Sequence, residues 1–159
     1  MVRLLETISK SYAAVPESLG AARREVAALA HAAGATPEQV DEIRLATSEA
    51  VTNAIVHAYR DRPGAIQFTA AVAGGELWVL VADDGAGIHQ GGGKSGLGLG
   101  LTLIAQACDE LTIVNRSNGG TELHMRFRLG AAPPAADDQR RGSVSSAHLP
   151  ASSIFSTTR

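Results

Sequence analysis

Glycine density between positions 85 and 100 restricts the folds open to this chain more than any other feature. Gly85, Gly87, Gly91, Gly92, Gly93, Gly96, Gly98 and Gly100 all fall in that span. Glycine loses the most backbone freedom on ordering, so a stretch this rich in it disfavours the interior of a helix or strand. The span must connect regular elements, and apolar periodicity resumes on both sides of it. Before it, Leu77, Val79 and Val81 alternate as a strand that ends at Asp83. Overlapping its end, Leu97, Leu101, Ile104 and Cys108 recur at helical spacing.

The rest of the chain up to Gly130 supplies the elements around this connection. Loose alternation over residues 4–11 predicts an opening strand. Leu19, Ala22, Val26, Leu29 and Ala33 predict a helix over 16–33, with Gly34 placed to end it. Thr36, Pro37 and Gln39 then form a helix start, with an N-cap hydroxyl, proline at the first helical position and a capping-box partner. That helix is expected to run to about Tyr59 and to close at the Arg62-Pro63-Gly64 turn. Strands over 66–72 and 77–82, linked by Ala73-Gly74-Gly75, predict an antiparallel hairpin. A second hairpin is expected from strands over 111–114 and 121–129, turning at Ser117-Asn118-Gly119-Gly120. Helices alternating with antiparallel strand pairs imply an α/β two-layer sandwich: a mixed, mainly antiparallel sheet with helices packed on one face.

Length and composition bound the remainder. A chain of 159 residues holds one domain with a sizeable core. The expected division is a domain over 1–130 and a tail over 131–159, rich in Ala, Pro, Ser, Asp and Arg without period, that reads as disordered. In that tail, Ser143 follows Arg140, Arg141 and Gly142, a pattern that basophilic kinases accept and that a Ser-rich segment also produces by chance. A net charge of -2 gives no electrostatic case for direct nucleic-acid binding. Cys108 is the single cysteine, which excludes an internal disulfide and a cysteine zinc cluster. No apolar run is long enough for a signal peptide or a membrane span, so a cytoplasmic protein with no membrane partner is expected.

Three segments carry residues suited to chemistry. On the second helix, Glu49, Asn53 and His57 are spaced by four and so form a polar stripe, opposite the apolar Ile43, Ala46, Ala50 and Ala54. A carboxylate and a carboxamide one turn apart offer oxygen ligands for Mg²⁺, or the carboxylate can deprotonate an attacking hydroxyl. An exposed helix face also carries such residues without any role. Next, Asp83-Asp84-Gly85-Ala86-Gly87 follows a strand, where the acid can accept a hydrogen bond from an exocyclic amine such as that of adenine. A plain Asp-Gly turn is the alternative. Finally, Gly96, Gly98 and Gly100 enter a helix, so free N–H groups and the positive dipole end suit phosphates. Lys94 can add a mobile charge there, and Gly91-Gly92-Gly93 would form a flexible lid. The spacing matches neither a dinucleotide fingerprint nor a Walker A loop.

Taken in order, an E-x-x-x-N helix, a strand ending in D-x-G-x-G, a Gly-rich helix entry and a final Gly-Thr hairpin resemble the GHKL family of ATP-binding domains. That family spans gyrase, a heat-shock chaperone, histidine kinases and MutL. Within it, the run from Ser48 to Tyr59 is similar to the helix of anti-sigma-factor serine kinases of the SpoIIAB and RsbW type. The resemblance covers roughly residues 4–129 and implies the histidine-kinase-like ATPase fold, with ATP and Mg²⁺ as cofactors. It implies that Asn53 holds Mg²⁺ at the ATP phosphates and that Glu49 is the general base. By the same resemblance, Asp83 reads the adenine amine, with Gly85 and Gly87 admitting the base. Gly96, Gly98 and Gly100 wrap the phosphates, and Thr121 supports the adenine pocket. His57 falls where relatives place a phosphate-side residue, and a hydrogen-bonded helix-end histidine fits that position equally. Lys94 is placed beside the phosphates.

The implied activity is that of an anti-sigma factor that sequesters a sigma factor and phosphorylates a serine of an anti-sigma factor antagonist protein. A homodimer is possible, since such relatives often pair. One departure stands out. Only the eight residues 88–95 separate Gly87 from Gly96, so the lid is short and the phenylalanine- and threonine-bearing lid segment of relatives has no counterpart. A short lid exposes the reaction to water and leaves open an ATP-binding but non-catalytic interaction regulator. A sensor histidine kinase is disfavoured because no dimerising, phospho-accepting helical hairpin is expected ahead of the domain. Gyrase-like and chaperone-like ATPases are disfavoured because there is no length for a transducing domain.

Overall fold

The computed structural model describes residues 4–59, 62–86, 97–117, 119–130 and 144–145. The chain starts with strand β1 (Leu4–Ala13) and continues into helices α1 (Pro16–Ala32) and α2 (Pro37–Asn53). Five residues, Ala54–Ala58, prolong α2 in π-helical geometry. Strands β2 (Ala65–Ala73) and β3 (Glu76–Asp83), helix α3 (Leu97–Ala107), and strands β4 (Glu110–Asn115) and β5 (Thr121–Arg128) follow. A two-residue strand β6 (Val144–Ser145) ends the described chain.

The sheet runs in the order β1-β2-β3-β5-β4-β6. Every pair is antiparallel except β4 with β6, which is parallel. Both expected hairpins form. Helix α2 packs between α1 and α3, and all three cover one sheet face, giving the expected two-layer α/β sandwich. Val144–Ser145 falls in the segment expected to carry no regular structure, and it pairs with Leu111 and Thr112; its neighbours in 131–159 lie outside the described residues.

Period-two alternation explains why that face is buried. Ile66, Phe68, Ala70 and Val72 of β2 stand opposite Asp83, Val81, Val79 and Leu77 of β3. Continuing across the ladder, Thr121, Leu123, Met125 and Phe127 of β5 share the same side. Side chains at alternate positions of paired strands project together, so these form a single apolar floor beneath the helices. Ala22, Val26, Leu29 and Ala30 of α1, Ile43, Ala46, Ala50 and Val51 of α2, and Ile104 of α3 close it from above. Edge strand β1 is tied to α1 by a polar clamp: Lys10 Nζ and the Tyr12 hydroxyl both donate to the Glu25 carboxylate, at 2.5 and 2.8 Å.

Helix ends follow their local chemistry. Thr36 Oγ1 accepts from the Gln39 N–H at 3.2 Å while Gln39 Oε1 accepts from the Thr36 N–H at 3.0 Å, completing the capping box. Gly34, with φ of 88°, ends α1 in the left-handed region. One expectation is corrected here. The second helix was expected to stay α-helical to about Tyr59, but from Ala54 it widens to the i→i+5 pattern. A π turn alters which terminal groups find partners inside the helix, and the Ala58 carbonyl accepts from the Ala86 N–H at 3.1 Å. No helix among the described residues is long and apolar enough to cross a membrane.

Candidate nucleotide site

Two clusters of the sequence-predicted residues form, one where α2 meets α3 and one at the ends of β3 and β5. The first joins α2 to the start of α3. Glu49 and Asn53 sit one turn apart on α2, Glu49 half-buried and Asn53 only 8% exposed. Gly100 meets them both. A β-carbon there would lie 3.1 Å from Glu49 Oε2 and 3.3 Å from Asn53 Oδ1. Among the described residues, Asn53 Nδ2 is buried without a hydrogen-bond partner. A buried amide left unpaired is costly, so such an atom marks a place where a ligand completes the bonding.

The second cluster lies at the open end of β3 and β5. Asp83 and Thr121 are direct cross-strand neighbours, and both are buried. Burial lifts the Asp83 carboxyl above its ordinary value, against backbone bonds from Gly85 and Thr121 that pull it down. The Gly85 N–H donates to Asp83 Oδ1 at 2.9 Å. Gly85 also packs on the end of α2: a β-carbon there would fall 2.3 Å from the Ala58 carbonyl oxygen. Thr121 Oγ1 is another buried polar atom without a partner among the described residues. A carboxylate held by two backbone donors beside an unused hydroxyl presents acceptors and a donor to a flat polar ligand.

The remaining candidates fall elsewhere. His57 is half-buried in the π-helical segment, where the 3.6-residue period that aligns Glu49 with Asn53 no longer holds. Gly98, in the first turn of α3, has no described residue within 4 Å of where a β-carbon would stand. Gly87, Lys94 and Gly96 lie outside the described residues.

Sequence reasoning missed the residues that brace the second cluster. The Tyr59 hydroxyl accepts from the Asp84 N–H at 3.0 Å and donates to the Ala65 carbonyl at 2.5 Å. Arg116 Nη1 pairs with Asp84 Oδ1 at 2.6 Å. Gly120, with φ of 91°, packs so closely that a β-carbon would come 2.1 Å from the Asp83 carbonyl oxygen. An aromatic residue directly after a polar helix stripe was the available signal for Tyr59. The Arg116 pairing had none, because it spans residues far apart in the chain.

Comparison with known proteins agrees with this fold. Residues 12–127 match the Histidine kinase-like ATPase domain family. The chain is 32% identical over 133 residues to an anti-sigma F factor of Clostridium kluyveri, covering 77% of this chain and 90% of that protein. To the anti-sigma F factor of Shouchella clausii it is 31% identical over 131 residues, covering 75% and 90%. Among solved structures, the RsbU and RsbW domains of a Mycobacterium tuberculosis protein match with a TM-score of 0.63 at 25% identity, over 78% of this chain and 32% of that one. The histidine kinase domain of a blue-light activated kinase from Erythrobacter litoralis matches with a TM-score of 0.50 at 30% identity, over 70% and 61%.

Proposed function

The chain belongs to the histidine kinase-like ATPase domain family, in the branch of the anti-sigma factors, and from that premise we propose that it is an ATP-dependent protein-serine kinase acting in the cytoplasm. It would sequester a sigma factor and phosphorylate a serine of the antagonist protein that opposes it. The observation that carries this reading is the meeting of Glu49, Asn53 and Gly100, together with the buried Asp83–Thr121 pair.

Each cluster has a task that its chemistry suits. Asp83 accepts the exocyclic amine of adenine, and Thr121 offers its unused hydroxyl to the same base or to a water beside it. Where α2 meets α3, the donor set fits Mg²⁺. Asn53 supplies an amide oxygen from a buried side chain whose nitrogen has no partner among the described residues, and Gly100 adds no side chain that would crowd it. Bound there with the nucleotide's phosphates, Mg²⁺ would neutralise charge on the phosphoryl group. Glu49 takes the proton of the attacking serine hydroxyl. The serine oxygen bonds to the γ-phosphorus, the bond from that phosphorus to the β–γ bridging oxygen breaks, and ADP departs with that electron pair. The proton held on Glu49 is then released to solvent.

Single-turnover transfer from γ-labelled ATP to the antagonist protein tests this reading. Wild-type protein should label one serine. Glu49→Gln should slow transfer by about 10²–10⁴-fold while Mg-ATP binding changes little. Equal rates for the two proteins would remove Glu49 from the chemistry. The brevity of segment 88–95 favours a second reading, an ATP-binding regulator without transfer, in which nucleotide orders a protein-binding surface. That reading is supported if wild-type protein binds Mg-ATP and captures the sigma factor but labels nothing.

A further inference from the structure

We propose that Tyr59 is a positioning residue that sets base selectivity by fixing the peptide between Asp83 and Asp84. This rests on the adenine-reading role proposed for Asp83 and adds the group that orients it.

The hydroxyl of Tyr59 has one proton and two lone pairs. Its proton is committed to the Ala65 carbonyl at 2.5 Å, so only lone pairs face the Asp84 N–H at 3.0 Å. Ala65 opens β2, and its neighbour Ile66 pairs with Asp83 at the end of β3. One oxygen atom thus joins the first peptide of β2 to the first peptide beyond β3. That second peptide is also confined from the other side, because Gly120 lies against the Asp83 carbonyl. Its plane is held at its N–H and at its C=O, and the Asp83 side chain springs from the Cα at the start of that plane.

Tyr59 is itself held firmly. It is 6% exposed, and its ring lies over Gly64, where a β-carbon would come 2.2 Å from Cδ1 and Cε1. The Arg62 N–H donates to its carbonyl at 2.8 Å. Its place in the chain gives the coupling a direction. Tyr59 follows directly on the π-helical segment that prolongs the helix bearing Glu49 and Asn53. A shift at the phosphate end of α2 is therefore passed to the base-reading loop through one hydroxyl and the Ala58–Ala86 hydrogen bond.

The test compares binding of Mg-ATP with that of Mg-ITP, which carries a carbonyl where ATP has the amine. Wild-type protein should prefer ATP. Tyr59→Phe keeps the ring but removes both hydrogen bonds, and should compress the ATP-to-ITP preference by about three- to ten-fold, the equilibrium effect of a typical hydrogen bond. Gly64→Ala pushes on the same ring while keeping its hydroxyl, and should compress the preference in the same direction. Tyr12→Phe removes a different, half-buried tyrosine hydroxyl, the one bonded to Glu25, and should leave the preference unchanged. If Tyr59→Phe and Gly64→Ala weaken both nucleotides equally, or Tyr12→Phe compresses the preference as much, the positioning role is overturned while the nucleotide site stands. If wild-type protein binds neither nucleotide, the proposed site falls and the role of Tyr59 with it.

Discussion

Gly100 on α3 lies directly against Glu49 on α2, with room for a hydrogen but not comfortably for a methyl group. A β-carbon at Gly100 would approach Glu49 Oε2 to 3.1 Å, whereas at Gly98, two residues earlier, it would meet no described residue within 4 Å. The contrast separates space from backbone stiffness. Gly98→Ala should raise stability by about 0.4–1 kcal/mol, as for a helical glycine replaced at a compatible site. Gly100→Ala should displace the Glu49 carboxylate and slow phosphoryl transfer by roughly ten-fold or more, because catalytic geometry tolerates little displacement. Urea unfolding and single-turnover transfer on the two variants check both statements.

Asp83 should trade nucleotide-free stability for binding. Burial raises its folded pKa, so the stability it contributes is full below the ordinary carboxylate value of 3.8 and is lost as pH rises through the folded value. Near neutral pH the buried, ionised carboxylate therefore weakens the nucleotide-free fold. Asp83→Asn removes that charge while keeping an oxygen for the Gly85 N–H. The nucleotide-free melting temperature should hold or rise by a few degrees, and the shift caused by Mg-ATP should vanish. Thermal melts across pH 4–8, with and without Mg-ATP, read both effects.

Much of this arrangement was legible where local chemistry alone fixes structure. Thr36, Pro37 and Gln39 announced the start of α2, Gly34 announced the end of α1, and the two hairpins followed from their turn residues. The juxtaposition of Glu49 with Asn53 followed from helical period, and both hairpins were legible as pairs. What was hidden was non-local. That β5 pairs with β3, bringing Thr121 beside Asp83, depends on a crossover that no short window encodes. The π turn at Ala54–Ala58 leaves no residue signature, because i→i+4 and i→i+5 bonding admit the same side chains. Tyr59 reaches Asp84 across 25 positions, so its hydroxyl could not be assigned from its neighbours.

Cys108 provides a probe of opening. It is 3% exposed, and burial pushes its thiol up to about 12. The thiolate is the reactive species, so a soluble alkylating reagent at neutral pH should label folded protein only through unfolding. The sign with pH follows from the raised value: stability from this group is intact below its ordinary value of 9.0 and declines as pH rises from there towards about 12. Cys108→Ala should flatten that alkaline decline. Labelling rates and urea midpoints over this window measure it.

The tightest backbone approach in the site is also where a single methyl group should do most harm. Gly120 and Gly34 share left-handed φ values, 91° and 88°, so alanine is strained equally at both. They differ in what surrounds them. At Gly34 a β-carbon meets nothing within 4 Å, whereas at Gly120 it would fall 2.1 Å from the Asp83 carbonyl oxygen and 2.9 Å from the Asp84 Cα. Backbone atoms cannot rotate aside as a side-chain tip can, so the β3 end must move. Gly34→Ala should cost about 1–2 kcal/mol, the conformational penalty alone. Gly120→Ala should cost roughly 3–5 kcal/mol, near the upper range for point substitutions, and should abolish the Mg-ATP melting shift in whatever fraction folds. Urea titration of the two alanine variants separates strain from collision, and equal losses at both positions would show that the approach of Gly120 to Asp83 is slack.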